Sequence, residues 1–229
     1  MLKKNKHTQL VVLIDPDKYN PDLVKIASQS TVSTIFVGGS ALHGNTFEKT
    51  IKSIKSLTDI PVIIFPGDEN QVSKSADGIL ILSLLSGRNP EYLIGKVVKV
   101  ASKIKSSKLQ TVPVGYILIQ GFKKSTTQKV TKTLPLNDRK EIINTCIAAE
   151  LIGKKAIYLE AGSGAREPLT PSLIRSVKKN CSLPLIVGGG IDTVAKAKKI
   201  LASQPDYIVI GNAFEKNPEL LIEISHLFE

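Results

Sequence analysis

The sequence predicts an α/β fold, a single-domain (β/α)8 TIM barrel whose third helix is missing or vestigial. Three observations carry that expectation. Eight short runs rich in Val, Ile and Leu recur along the 229 residues, each closing on a Gly, Pro, Asp or Ser cluster. Charged stretches with a helical apolar period separate most of them. The length suits one α/β barrel, a fold that runs to roughly 200–250 residues, and 42% hydrophobic residues can fill a sizeable core.

In order, the strand runs are residues 10–15, 34–40, 61–67, 78–84, 113–119, 156–162, 184–190 and 207–211. They are apolar on both faces, as parallel strands are when helices cover one side and a filled interior the other. The helices between them are 21–30, 46–57, 89–105, 138–152, 171–180, 193–202 and 218–228, several opening on Pro or a capping residue. Residues 68–77 are too few for a crossover helix with its turns and show no apolar stripe, hence the expected loss of the third helix. Residues 120–137, long and rich in Lys and Thr, would project over the strand C-termini as a candidate lid. No linker or composition shift marks a second domain, so 1–229 reads as one barrel domain.

Composition excludes several classes. No apolar run approaches the roughly 18 residues of a membrane-spanning helix, and the basic start passes straight into a strand-like run without a signal-peptide pattern. Cys146 and Cys181 are isolated thiols, which fits a reducing compartment, read as the cytoplasm, and neither a zinc site nor a disulfide scaffold. The net charge of +11 favours anionic substrates and peripheral contact with an anionic membrane surface. Nucleic acid is not expected as a partner, because 5% aromatic residues and no recognition motif accompany that charge. His7, His43 and His226 have no partner spacing and are assigned no role.

Barrel enzymes place their chemistry at the C-terminal ends of the strands. Strand six closes on Tyr158-Leu159-Glu160-Ala161-Gly162-Ser163-Gly164, seven on Val187-Gly188-Gly189-Gly190 and eight on Ile210-Gly211-Asn212. These glycine clusters are neighbours around the rim and leave backbone N–H groups to point at one anion, a phosphate cup. Across the mouth, Asp15 beside Ser40 on the next strand offers oxygen ligands to Mg2+, which takes one or two protein groups plus substrate phosphates and water. Asp15 could instead cap the turn before Pro16. Glu160, a few ångströms from an anchored phosphate, reads as a general base for a substrate hydroxyl, the plainer alternative being an ion pair inside the barrel.

At these strand ends the chain resembles the geranylgeranylglyceryl phosphate synthase family, related to the heptaprenylglyceryl phosphate synthases. The motifs are Ile14-Asp15-Pro16-Asp17-Lys18, Val37-Gly38-Gly39-Ser40, Phe65-Pro66-Gly67, the run from Ser86 to Gly95, the run from Tyr158 to Ala165 and Ile210-Gly211-Asn212-Ala213, in the family's order. The resemblance implies a barrel lacking a regular third helix. It also implies transfer of a prenyl group from an allylic diphosphate to the 3-hydroxyl of sn-glycerol 1-phosphate, giving an ether phospholipid precursor and diphosphate.

By the same resemblance Asp15 and Ser40 match the Mg2+ positions. Tyr158, Leu159, Glu160, Ala161, Gly162, Ser163, Gly164, Gly189, Gly190, Gly211 and Asn212 match positions that hold glycerol phosphate, and Glu160, with Tyr158 beside it, matches the base. The form Ala161-Gly162-Ser163-Gly164 is similar to the archaeal and Bacteroidetes subgroup, which implies geranylgeranyl diphosphate as donor. Some relatives close the tail groove with a Trp, and this chain has none. Family members form dimers or hexamers, so a homo-oligomer is implied. Two other readings compete: a phosphate-binding barrel enzyme acting on a soluble phosphorylated metabolite, and a non-enzymatic basic protein that docks on membranes.

Overall fold

A computed structural model describes residues 2–39, 46–119 and 124–229. Its strands are β1 (Gln9–Ile14), β2 (Val32–Val37), β3 (Val62–Ile64), β4 (Gly78–Leu84), β5 (Gln110–Leu118), β6 (Ala156–Glu160), β7 (Leu185–Gly188) and β8 (Tyr207–Ile210). They close in sequence order into one parallel barrel, β8 returning to β1. Alternation explains why the runs are apolar throughout. Val11, Phe36, Ile63, Leu80, Val114, Tyr158, Ile186 and Val209 fill the interior, while Val12, Ile35, Ile64, Leu159, Val187 and Ile208 pack outward under the helices.

The helices are α1 (Pro21–Ser28), α2 (Phe47–Leu57), α3 (Lys96–Ser107), α4 (Thr126–Thr131), α5 (Arg139–Leu151), α6 (Pro171–Asn180), α7 (Val194–Leu201), α8 (Asn212–Lys216) and α9 (Glu219–Ser225). Side-chain caps start most of the long ones. Asn20 accepts from the Asp22 N–H, Asp138 from Glu141 at 2.8 Å and Thr193 from Lys196 at 3.3 Å. α6 opens on Pro171 and buries Leu173, Ile174 and Val177 along one stripe.

Sequence and structure differ mainly at boundaries. Strand runs read to 67, 162 and 190 end earlier, because their last residues turn away from the ladder, and of the run read to 40 the strand ends at Val37 while residue 40 lies outside the described residues. Gly162, Gly189 and Gly190 have φ of +107°, +87° and +72°, a region that favours glycine. β5 begins before Pro113, whose missing N–H costs the strand one donor while its carbonyl accepts from the Lys155 N–H at 2.8 Å. The helix expected over 89–105 is two pieces, a π-helical turn at Glu91–Gly95 and then α3. The short α4 and α8 were not anticipated. Residues 65–77 pass from β3 to β4 in bends and turns without a helix. There the ladder is brief, two residue pairs joining β3 to β4 against seven joining β4 to β5.

Candidate active site

A cavity of about 450 Å3 runs across the C-terminal mouth of the barrel. Ser163, Gly211 and Asn212 stand at one end, Asp15, Gly39 and Glu160 line the middle, and Val72, Ile81, Val97, Val100 and Ile104 form an aliphatic groove at the other. The groove lies along the outer face of β4, between the helix-free 65–77 link and α3. α3 buries none of its residues fully, so its inward aliphatics face this space.

Glu160 ends β6 with its side chain turned into the barrel, 8% exposed. Its Oε1 accepts the Gly162 N–H at 2.7 Å, and the hydroxyls of Tyr158 and Tyr116 donate to the carboxylate. Burial pushes its pKa from 4.5 to about 7, against the pull of those three donors. Both tyrosines are held well above their usual pKa by burial and by the Glu160 charge, so they remain donors. The Tyr116 and Tyr158 rings stack at 5.2 Å, and Phe65 meets Tyr158 edge-on at 5.3 Å. This aromatic floor fixes the carboxylate and keeps water from below. β5 and β6 set Tyr116 opposite Tyr158, and their register therefore builds the pair.

The glycines split into two roles. The N–H of Gly162, within a cluster expected to leave its amides to one anion, is spent on Glu160 instead. Among the described residues, the amides of Ser163, Gly164, Gly189 and Gly190 donate to no protein acceptor. Asn212 Nδ2 donates to Ser163 Oγ at 2.9 Å, lacing the β8 end to the β6 end. Gly189 is needed for space as well: a Cβ there would lie 2.4 Å from Glu160 Oε1. At Gly190 it would lie 2.5 Å from the Glu167 carbonyl oxygen.

On the opposite side, Asp15 Oδ1 accepts from the Asp17 N–H at 3.1 Å, so the turn-capping role foreseen as an alternative is real and coexists with a place in the cavity. A Cβ on Gly39 would meet that Oδ1 at 2.8 Å, so the glycine keeps the carboxylate uncrowded. Ser40, His43 and residues 120–123 lie outside the described residues. Sequence reasoning missed three neighbours. Glu215 on α8 accepts the Asp15 N–H at 3.0 Å and takes Lys18 Nζ at 3.3 Å, tying the phosphate side to the Asp15 turn. Partial burial works against the Lys18 charge, but Glu215 and Asp15 outweigh it and raise its pKa. Gln71, fully buried, donates to the Gly39 carbonyl at 2.7 Å and accepts from the Gly67 N–H at 3.1 Å, clamping the turns after β2 and β3. Tyr116 was the third.

α4 covers part of the mouth. Thr126, Thr127 and Val130 line the cavity, Thr127 hydrogen-bonds Tyr116, and Ser125 packs against Gly162. Among the described residues no cluster of three His, Cys, Asp or Glu side chains forms a metal site.

A closed eight-stranded parallel barrel with glycine turns and a buried carboxylate gathered at its C-terminal mouth has the architecture of the (β/α)8 barrel class. The chain belongs to the PcrB family, whose model matches residues 2–226. It is 44% identical over 220 residues to geranylgeranylglyceryl phosphate synthase of Chitinophaga pinensis, covering 93% of this chain and 87% of the relative. It is 44% identical over 211 residues to the same-named protein of Zunongwangia profunda, covering 90% of each. The crystal structure of (S)-3-O-geranylgeranylglyceryl phosphate synthase from Thermoplasma acidophilum with sn-glycerol-1-phosphate superposes with a TM-score of 0.91. It is 31% identical in sequence, over 97% of this chain and 94% of that one.

Proposed function

We propose that this chain is a Mg2+-dependent prenyltransferase that joins the prenyl group of geranylgeranyl diphosphate to the 3-hydroxyl of sn-glycerol 1-phosphate. One observation carries the reading: a single cavity connects Ser163, Gly211 and Asn212 at the turns after β6 and β8, the buried Glu160 and a long aliphatic groove. An enzyme of soluble phosphorylated metabolites has no use for the groove, and a scaffold that only docks has no use for a carboxylate raised to about 7.

In this reading the phosphate of the acceptor rests on the amides of Ser163, Gly164, Gly189 and Gly190 with Gly211 and Asn212 beside them. Tyr158 supports Glu160 from below, and Ala161 and Gly162 carry the chain into the turn, whereas the Leu159 side chain, expected at the acceptor, packs outward under the helices; the glycerol 3-hydroxyl reaches Glu160. The donor lays its tail along Ile81, Val97, Val100 and Ile104 and its diphosphate beside Asp15. The hydroxyl oxygen attacks the allylic C1 as the bond from C1 to the diphosphate oxygen breaks. Its electron pair leaves with the diphosphate, and the hydroxyl proton passes to Glu160. The hydroxyls of Tyr116 and Tyr158 steady the carboxylate through that transfer, and the ring faces of Phe65 and Tyr116 border the carbon that gains positive charge.

The donor chemistry at Asp15 fits Mg2+, a hard carboxylate open to the cavity with room left by Gly39. Asp15 with Ser40 would hold the ion, which supplies charge neutralisation to the departing diphosphate. The whole chain acts as one barrel domain without a regular third helix, the helix-free 65–77 link leaving the gap that the tail groove occupies. Exposed Leu151 and Ile152 at the end of α5 offer an apolar surface for a homo-oligomer, dimer or hexamer. No described helix is long and apolar enough to cross a membrane, in keeping with work in the cytoplasm.

The test is incubation of labelled sn-glycerol 1-phosphate with prenyl diphosphates of increasing length, with Mg2+ or with EDTA. A lipid-extractable ether product that depends on Mg2+ is expected, with the highest rate at the geranylgeranyl donor. Its absence with the metal present would overturn the reading.

A further inference from the structure

A donor with a long hydrocarbon tail partitions into membranes, so the outer rim of the tail groove matters as much as its wall. Tyr92, Val97 and Val130 form that wall, and the Tyr92 hydroxyl donates to the Val130 carbonyl at 3.3 Å, bringing α4 against the π-helical turn before α3. Farther out, Thr133 packs against Gly87. On the solvent side of this seam stand Ile94, Val98 and Leu134, exposed at 61%, 65% and 79%. Three large aliphatics left in water around one opening are unusual unless something apolar covers them.

The charge around them says what covers them. Residues 86–108 hold six Lys and Arg and one acid, Glu91, which is paired with Lys99 at 2.6 Å. Residues 124–134 hold three Lys and no acid, and among the described residues Lys124, Lys129 and Lys132 form no ion pair. Glu69, reaching the rim from the 65–77 link, is itself held by Lys96 at 3.1 Å. Aliphatics ringed by unneutralised lysines are complementary to a bilayer surface that offers hydrocarbon beneath negative headgroups, and ill-suited to an ordinary neutral protein face.

We infer that the seam between α3 and α4 is a membrane-docking face for anionic lipid, through which the prenyl diphosphate enters the groove directly from the bilayer. The inference rests on the prenyl-transfer reading for its purpose and on the rim for its place. Docking is reversible and shallow, Ile94, Val98 and Leu134 entering the headgroup layer while the lysines meet its charge.

Co-sedimentation of the full chain with vesicles tests it. The protein should sediment with phosphatidylglycerol-rich vesicles and not with pure phosphatidylcholine, and salt should release it. Ile94→Ser with Leu134→Ser, and separately Lys124→Glu with Lys129→Glu, should each weaken vesicle binding by about ten-fold or more. Both pairs should turn over short geranyl diphosphate dissolved in buffer at the wild-type rate while losing rate on vesicle-borne geranylgeranyl diphosphate. Because these side chains are exposed and outside the cavity wall, the soluble assay also certifies folding. Equal binding to neutral and anionic vesicles, or undiminished binding by both pairs, would overturn the inference. So would Ile94→Ser with Leu134→Ser that splits an oligomer in light scattering without touching vesicle binding, since the face would then belong to a second copy. The buffer assay on the wild type reports the prenyl-transfer reading by itself, so that a failure there and a failure at the vesicles are told apart.

Discussion

The two ends of the cavity are built on different principles. At the β6–β8 end the working parts are main-chain amides and one buried carboxylate, each fixed by a glycine with positive φ or by a hydrogen bond of measurable length. At the β3–β4 end the working parts are aliphatic side chains on a helix that buries none of them fully. On the proposed reading the first end would read the shape of a small polar molecule, where a displacement of an ångström is costly. The second would recognise only length and girth, since one methylene in an apolar pocket is worth about 1–3 kcal/mol. Discrimination between acceptors should therefore be sharp and that between donors graded.

The largest blow to the polar end should come from Glu160→Gln. It should lower kcat by roughly 10^3-fold with the KM for sn-glycerol 1-phosphate nearly kept, as loss of a general base requires. A KM effect without a kcat effect would reassign Glu160 to binding. Gly189→Ala should come next, because the new Cβ would lie 2.4 Å from Glu160 Oε1 on a residue with φ of +87°. Roughly 10^2-fold loss in kcat/KM and about 1–3 kcal/mol of stability are expected by kinetics and thermal melting. Asp15→Asn should raise the Mg2+ concentration for half-maximal rate by roughly 10–100-fold without altering acceptor affinity measured in EDTA. At the apolar end Val100→Phe should cut kcat/KM for the geranylgeranyl donor about ten-fold and leave a geranyl donor untouched. A uniform loss across donors would show that the groove is not where the tail lies.

The smallest effect is one of pH. Glu160 must be ionised to accept the proton, so the rate should fall on the acid side with a midpoint at about 7. Stability moves the other way. The folded carboxyl takes its proton near 7 and the unfolded one near 4.5, so the native state binds more protons between those values and loses stability as pH rises through the window. Glu160→Gln escapes that loss, and its Tm should exceed the wild type's at about pH 8 by an amount worth at most about 3 kcal/mol, with no difference at about pH 4.

This contrast also explains what could be read from the sequence. The barrel was legible because parallel strands buried on both faces leave uninterrupted apolar runs, and the strand order followed from alternation. That Glu160 and Gly211 stand at the mouth and that Gly162 and Gly189 form tight turns beside them was legible, because a charge at a strand end and left-handed backbone leave few residue choices. Tyr116 was not, since a tyrosine two-thirds along a strand looks like core until register sets it opposite Tyr158. Gln71 looked like a loop residue, and nothing local reveals that its amide closes on Gly39 and Gly67 from across the link. Glu215 reaches Asp15 across 200 positions of sequence, a partnership made only by ring closure. The groove itself is an absence, a helix not supplied, and its lining of Val and Ile is indistinguishable in sequence from ordinary helix packing.

A ring is only as stiff as its weakest joint. β3 and β4 are stitched by two residue pairs, with no helix buttressing the join from outside, whereas the polar turns stand on the far side of the circle. A joint so thinly stitched should open ahead of the others, so the amide proton of Ile64, on the β4 side of β3, should exchange with solvent ahead of those in β5 and β6.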